Sequence, residues 1–256
     1  MDKKPSEVNI SSINKKIIKL LAELSRQNWA IIQASRISLR VSPFVGFEEL
    51  VNDLESPYSD LDQSFPNLAG HYIMLSNSET PIRKLIREPS EHIGIFKVEQ
   101  NGRRLIRLGP GRQAMIPITS TVLLHLRFHE WMIGSRLKMP VVVLAEPDEL
   151  LRLEASVTPN NAFTMTDLLV DAWRPLLNEI PNGQKVPLHQ VFETDTNGNL
   201  LHGQIPGLVF HQRHGVFAAS DSFGDLLPLL RSAEKAAGIA RATLLAGAIR
   251  MNTNRE

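Results

Sequence analysis

Two apolar runs, residues 92–98 and 104–108, flank Gln100-Asn101-Gly102-Arg103. Asn-Gly between such runs is a strong hairpin signal, because a two-residue turn needs positive φ at both central positions. The pair commits the chain to neighbouring antiparallel strands. It argues against a purely parallel, doubly wound sheet.

Helices and strands alternate around this hairpin. Residues 1–11 are polar and read as a flexible tail, with Ser11 or Ser12 as N-cap. Ile13, Ile17, Ile18, Leu20, Leu21, Leu24 and Trp29 recur at helical spacing, which predicts an amphipathic helix to about residue 33. Residues 37–41 alternate as a strand. Residues 43–69 contain Pro43, Pro57 and Pro66 and read as an irregular excursion with one short helix at 47–54. A strand follows at 72–75, and a helix at 121–133 begins after Thr119-Ser120. Residues 140–145 are apolar and rich in β-branched side chains, hence a buried strand. Helices are expected at 148–154 and 164–179, and Asn197-Gly198 marks a second turn. Strands at 207–210 and 215–218 lead into a helix at 222–249, with a kink or boundary at Pro228. The pattern predicts an α/β fold, three-layer α/β/α, with a mostly antiparallel or mixed central sheet. One domain over residues 12–256 is the simpler organisation.

Composition narrows the function classes. The formal net charge is +1, with no basic footprint for nucleic acid. Lys15, Lys16 and Lys19 read as a solvated helix face. There is no cysteine, so disulfides and thiolate chemistry are excluded and a reducing cytoplasm is expected. No apolar run is long enough to span a bilayer, and the polar start does not read as a secretory signal.

Chemistry-bearing residues gather in a few places. Val209-Phe210-His211-Gln212-Arg213-His214-Gly215-Val216-Phe217 reads as a strand, a His-Gly corner and a second strand. A helix containing Ala233-Glu234-Lys235-Ala236 follows. His214 is either a ligand or a core histidine, and His211 stands close to it in sequence. His125 and His129 lie four apart on one helix face beside Glu130, a spacing that suits a metal or a buried core pair. Thr119-Ser120 is either a plain N-cap or part of an anion site at a helix start.

Taken in order, these segments resemble the class II (metal-dependent) aldolase/adducin family, and most of all its rhamnulose-1-phosphate aldolase branch. The resemblance runs from about Ile13 to Leu245. It is carried by the helix-to-strand passage from Trp29 to Val41 and by His71 through Ile93-Gly94-Ile95-Phe96-Lys97-Val98. Ile118-Thr119-Ser120-Thr121, the strand ending Val143-Leu144-Ala145-Glu146-Pro147, and His214-Gly215 with the last helix complete it.

The resemblance implies a zinc held by three histidines, acting as a Lewis acid on an enediolate. His214 matches one of them as a remnant. The other two fall on Leu144, which cannot ligate, and Glu146, a weak substitute. The family's glutamate base falls on Thr121, whose hydroxyl cannot carry out that proton transfer. No catalytic residue is therefore assigned. The family's phosphate pocket maps onto Arg36, Ser78, Thr119 and Ser120. Arg36 takes an asparagine's place as a bidentate donor, unless it pairs with a surface acid. Asn77 and Glu79 replace flanking glycines.

The expectation is an aldolase-family protein without carbon–carbon lyase activity and without a cofactor, binding a phosphorylated or anionic small molecule. One alternative is an active lyase for a ketose 1-phosphate, with zinc on substituted ligands. Another is a structural partner of a catalytic homologue. The resemblance further implies a homo-oligomer, a tetramer, with neither nucleic acid nor membrane as partner.

Overall fold

The computed structural model describes residues 10–29, 37–41, 58–108, 116–134, 136, 139–156, 192–193, 208–211 and 215–253. The chain forms two compact units, one of residues 1–144 with 220–223 and one of residues 145–219 with 224–256. The tail at 1–9, the helices expected at 47–54 and 164–179 and the turn at Asn197-Gly198 lie outside the described residues.

The first unit opens with helix α1, Ile10–Arg26. It starts earlier than expected, so Ser11 and Ser12 lie inside it. It also stops well before residue 33, and the backbone gives the reason. Asn28 takes φ 58, a left-handed conformation that asparagine tolerates. The amide of Asn28 donates to Ser25 O (3.2 Å) and that of Trp29 to Leu24 O (2.9 Å). These two bonds form the Schellman closure of a helix end. Trp29 and Leu24, the positions whose apolar contact often accompanies this motif, are both buried.

Six strands follow: β1 Ile37–Val41, β2 Tyr58–Asp60, β3 Tyr72–Ser76, β4 Ile93–Val98, β5 Arg104–Leu108 and β6 Val141–Ala145. Their order in the sheet is β2-β5-β4-β3-β1-β6, and every pairing in this set is antiparallel. β1 is central, with Ile37 opposite Val143 on one side and Ser38 opposite Leu75 on the other. Two short helices that periodicity does not reveal, α2 (Ile82–Arg87) and α3 (Pro89–His92), precede β4. Helix α4, Ser120–Gly134, covers a core of Phe65, Leu68, Ile73, Leu75, Phe96, Val122 and Leu126.

The β4–β5 hairpin is present, but its turn differs from the expected one. Gly102 has φ 68, while Asn101 is not among the positive-φ residues. The amide of Gly102 donates to Glu99 O (2.8 Å) and that of Glu99 to Arg104 O (2.9 Å). The connection is longer than two residues, so only its glycine needs the left-handed region. Asn101 instead accepts the Arg103 amide at its side-chain oxygen (2.8 Å).

The second unit holds helix α5 (Asp148–Ser156), strands β7 (Phe192–Glu193), β8 (Leu208–His211) and β9 (Gly215–Ser220), and most of helix α6 (Phe223–Thr253). β8 pairs antiparallel with β9 and parallel with β7. The mixed, mostly antiparallel sheet of the sequence reading is therefore correct. Helix α6 runs through Pro228 rather than stopping at it. Ala233, Ala236, Ala237 and Ala240 are buried, so α6 presents a stripe of small side chains that permits close packing.

Candidate functional site

The end of the first sheet where β3 leaves it carries Ser78, one of the residues singled out above. The amide of Ile37, the residue after Arg36, donates to Ser76 Oγ (3.2 Å). The amide of Asn77 donates to His92 O (2.8 Å), which fixes the turn leaving β3. A Cβ on Gly94, opposite Leu75, would sit 3.4 Å from Ile116 Cδ1. Ser78 is two residues beyond Ser76, and Thr119 three beyond Ile116. Extended chain spans at most about 3.5 Å per residue, so Ser78 lies within about 7 Å of Ser76 and Thr119 within about 11 Å of Ile116.

Ser78 is buried, 2% exposed, and its Oγ has no hydrogen-bond partner among the described residues. An unsatisfied buried hydroxyl calls for a specific explanation. Glu79 is exposed, so its charge does not enter the turn. Its amide is held by Asn77 Oδ1 (2.9 Å), so Asn77 helps shape the turn.

Thr119 is the N-cap of α4. Its Oγ1 lies 3.4 Å from the Val122 amide and 2.9 Å from Thr121 Oγ1. The capping reading therefore holds for Thr119. Capping does not consume every amide of the first turn, because four N–H groups at a helix start lack carbonyl partners within the helix. Ser120 is exposed and Thr121 is buried. Arg36 and His214 lie outside the described residues. Leu144 is fully buried. Glu146 is half-buried and has an interaction of its own.

His125 and His129 are brought together by a residue the sequence reading passed over. Ser38 Oγ lies 2.7 Å from His125 Nδ1 and 2.8 Å from His129 Nε2. All three side chains are buried. The available signal was a lone serine in the apolar strand Ile37-Ser38-Leu39. Burial, then the neighbouring His125, Arg40 and His71, hold the His129 pKa well below the usual histidine value. Burial and Arg40 lower His71 as well, against an opposing pull from Glu130. Glu130 itself accepts the amides of Asn67 and Leu68, each at 2.8 Å.

Glu234, in the Ala-Glu-Lys-Ala run, has a structural task. Its carboxylate oxygens each accept the Glu149 amide at 3.1 Å, at the start of α5. Burial raises its pKa. Arg241 Nε donates to Glu149 Oε2 at 2.7 Å on the same α5–α6 contact. A separate surface group, Glu88, Glu91 and His92, places possible ligand atoms within 4.8 Å of one another. Two of its three members are exposed acids, a common surface arrangement.

Solved structures similar to this one include several named as aldolases. A sugar-phosphate aldolase from Thermotoga maritima superposes with a TM-score of 0.64 at 19% identity, covering 93% of this chain and 97% of that one. The fold is that of the class II aldolases. An aldolase II superfamily protein from Pseudomonas syringae gives a TM-score of 0.51 at 11% identity, covering 92% and 77%. An L-fuculose 1-phosphate aldolase from Glaciozyma antarctica PI12 gives 0.53 at 11%, covering 96% and 79%. The sequence matches no protein-family profile and no curated protein. No helix among the described residues is long and apolar enough to cross a membrane.

Proposed function

We propose that the chain is a class II aldolase-family protein of the rhamnulose-1-phosphate aldolase-like branch that has lost metal-dependent carbon–carbon cleavage and binds a phosphorylated or anionic ligand. The observation that carries this reading is the buried hydroxyl of Ser78, in the turn that leaves β3, which has no hydrogen-bond partner among the described residues. Ser78, Thr119 and Ser120 supply hydroxyls, and the α4 amides and dipole favour negative charge. Arg36 supplies the cation.

The residues present do not fit a catalytic zinc. Leu144, buried and aliphatic, falls where the resemblance puts a ligand, which leaves His214 and Glu146 one donor short of a three-ligand site. The hydroxyl of Thr121, hydrogen-bonded to Thr119, takes the place of the glutamate base. No reaction step is derived through a metal.

Calorimetric titration with inorganic phosphate and with a ketose 1-phosphate tests ligand binding. Saturable binding is expected, with Ser78→Ala weakening it about ten-fold or more, since hydrogen bonds to charged groups contribute about 1.5–3 kcal/mol. Binding that is absent, or unchanged by Ser78→Ala and Thr119→Val, sinks the reading. Elemental analysis after zinc loading and removal of excess tests the second half. No retained zinc is expected. Retention of about one zinc per chain, as a catalytic site requires, would replace this reading with an active lyase on substituted ligands.

A further inference from the structure

Ser38, His125 and His129 lie wholly inside the first unit and have no place in the proposed ligand site. A serine hydroxyl carries one hydrogen. Between two ring nitrogens it can donate to one and must accept from the other. His129 Nδ1 is buried with no hydrogen-bond partner among the described residues. An orphaned buried N–H is rarer than an under-satisfied acceptor, so Nδ1 is the bare nitrogen and Nε2 carries the proton. Donation then runs from His129 Nε2–H to Ser38 Oγ, and from Ser38 O–H to His125 Nδ1. Both rings are Nε2–H tautomers.

We propose that this triad is an acid-sensitive latch that holds β1 against α4 only while both rings are neutral. A proton on His125 Nδ1 removes the acceptor that Ser38 needs. A proton on His129 Nδ1 places a charge in the interior with no acceptor among the described residues. The charged and titratable groups around it add to the penalty. Arg40 on β1 and His71 before β3 act on His129 in the same direction. Glu130 on α4 favours a charge on His71, but it is committed to the amides of Asn67 and Leu68. Protonation is therefore tied to release of β1 from α4.

The sign follows from burial. A ring kept neutral in the folded chain takes up its proton only on opening. Stability is then complete above the unfolded histidine pKa of about 6.5 and is lost as pH falls below it. Each such ring multiplies the unfolding constant by up to about ten per pH unit, and the pair by up to about a hundred.

The test is nitrogen-15 NMR of the histidine rings in the full-length protein, from pH 8 down to the acid transition, alongside urea unfolding at each pH. The expected result is two Nε2–H rings, His125 and His129, that stay neutral in every folded spectrum. His129→Gln is expected to remove about one ten-fold factor per pH unit from the acid dependence. Titration of either ring within the folded state overturns the latch. If His129→Gln does not fold, the wild-type spectra alone decide.

Discussion

Replacing Gly102 by valine is expected to destabilise the protein by about 3 kcal/mol or more, through two separate causes. The residue sits at φ 68, where a side chain with a Cβ meets its own carbonyl; for an L-residue this costs roughly 1–2 kcal/mol, and more when it is β-branched. A Cβ there would also lie 2.6 Å from the carbonyl oxygen of Phe65 and 2.9 Å from its nitrogen. That neighbour is backbone and cannot swing aside. Nor can the hairpin withdraw, because the Phe65 amide donates to Gly102 O (2.9 Å) and the Leu61 amide to Arg103 O (2.8 Å). Overpacking of this kind costs about 1–3 kcal/mol. Urea unfolding of Gly102→Ala and Gly102→Val checks the argument. Alanine should already show most of the loss, and a change under about 1 kcal/mol for valine would sink the close-approach explanation.

Phe96→Ala is expected to cost about 3–5 kcal/mol, the range for emptying a packed aromatic site. The ring is 1% exposed and belongs to the core beneath α4 with Ile73, Leu75, Ile116 and Leu126. Gly94 leaves the space the ring occupies, because a Cβ at Gly94 would meet Phe96 Cε2 at 2.5 Å. Gly94→Ala alone should therefore be destabilising by about 1–3 kcal/mol. Combined with Phe96→Leu, it should cost less than the sum of the two single changes, since the smaller side chain removes the clash. Strict additivity in that double-mutant cycle would mean that the ring does not lean on Gly94. The same core carries Ile116, three residues before Thr119, so its loss should also loosen the candidate ligand end of the sheet.

Much of this architecture was legible in the chain. Alternation over 37–41 gave one strand, and the β-branched run at 140–145 gave a buried one, because a strand buried on both faces needs apolar side chains throughout. The Asn101-Gly102 signal gave the hairpin. The order of segments gave the class II aldolase fold. Local conformational choices were harder to read. The end of α1 was set by Asn28 adopting a left-handed backbone, and any asparagine in the window was equally eligible. Helices α2 and α3 were too short to display a period.

The candidate site divides along the same line. Residue identity alone carried the expectation of lost metal chemistry. Leucine at 144 has no lone pair for a metal, and threonine at 121 is no proton acceptor near neutral pH, whatever surrounds them. What can happen depended on neighbours far away in sequence. Ser78 is notable only because folding buries its hydroxyl without a partner among the described residues. Glu234 acquires its task only because α5 begins beside it. Ser38 reaches His125 and His129 across 87 and 91 residues, through a contact between a strand and a helix that no local pattern encodes. Hydrogen bonding and desolvation act at contact distance, and for these groups only the tertiary structure decides which atoms are in contact.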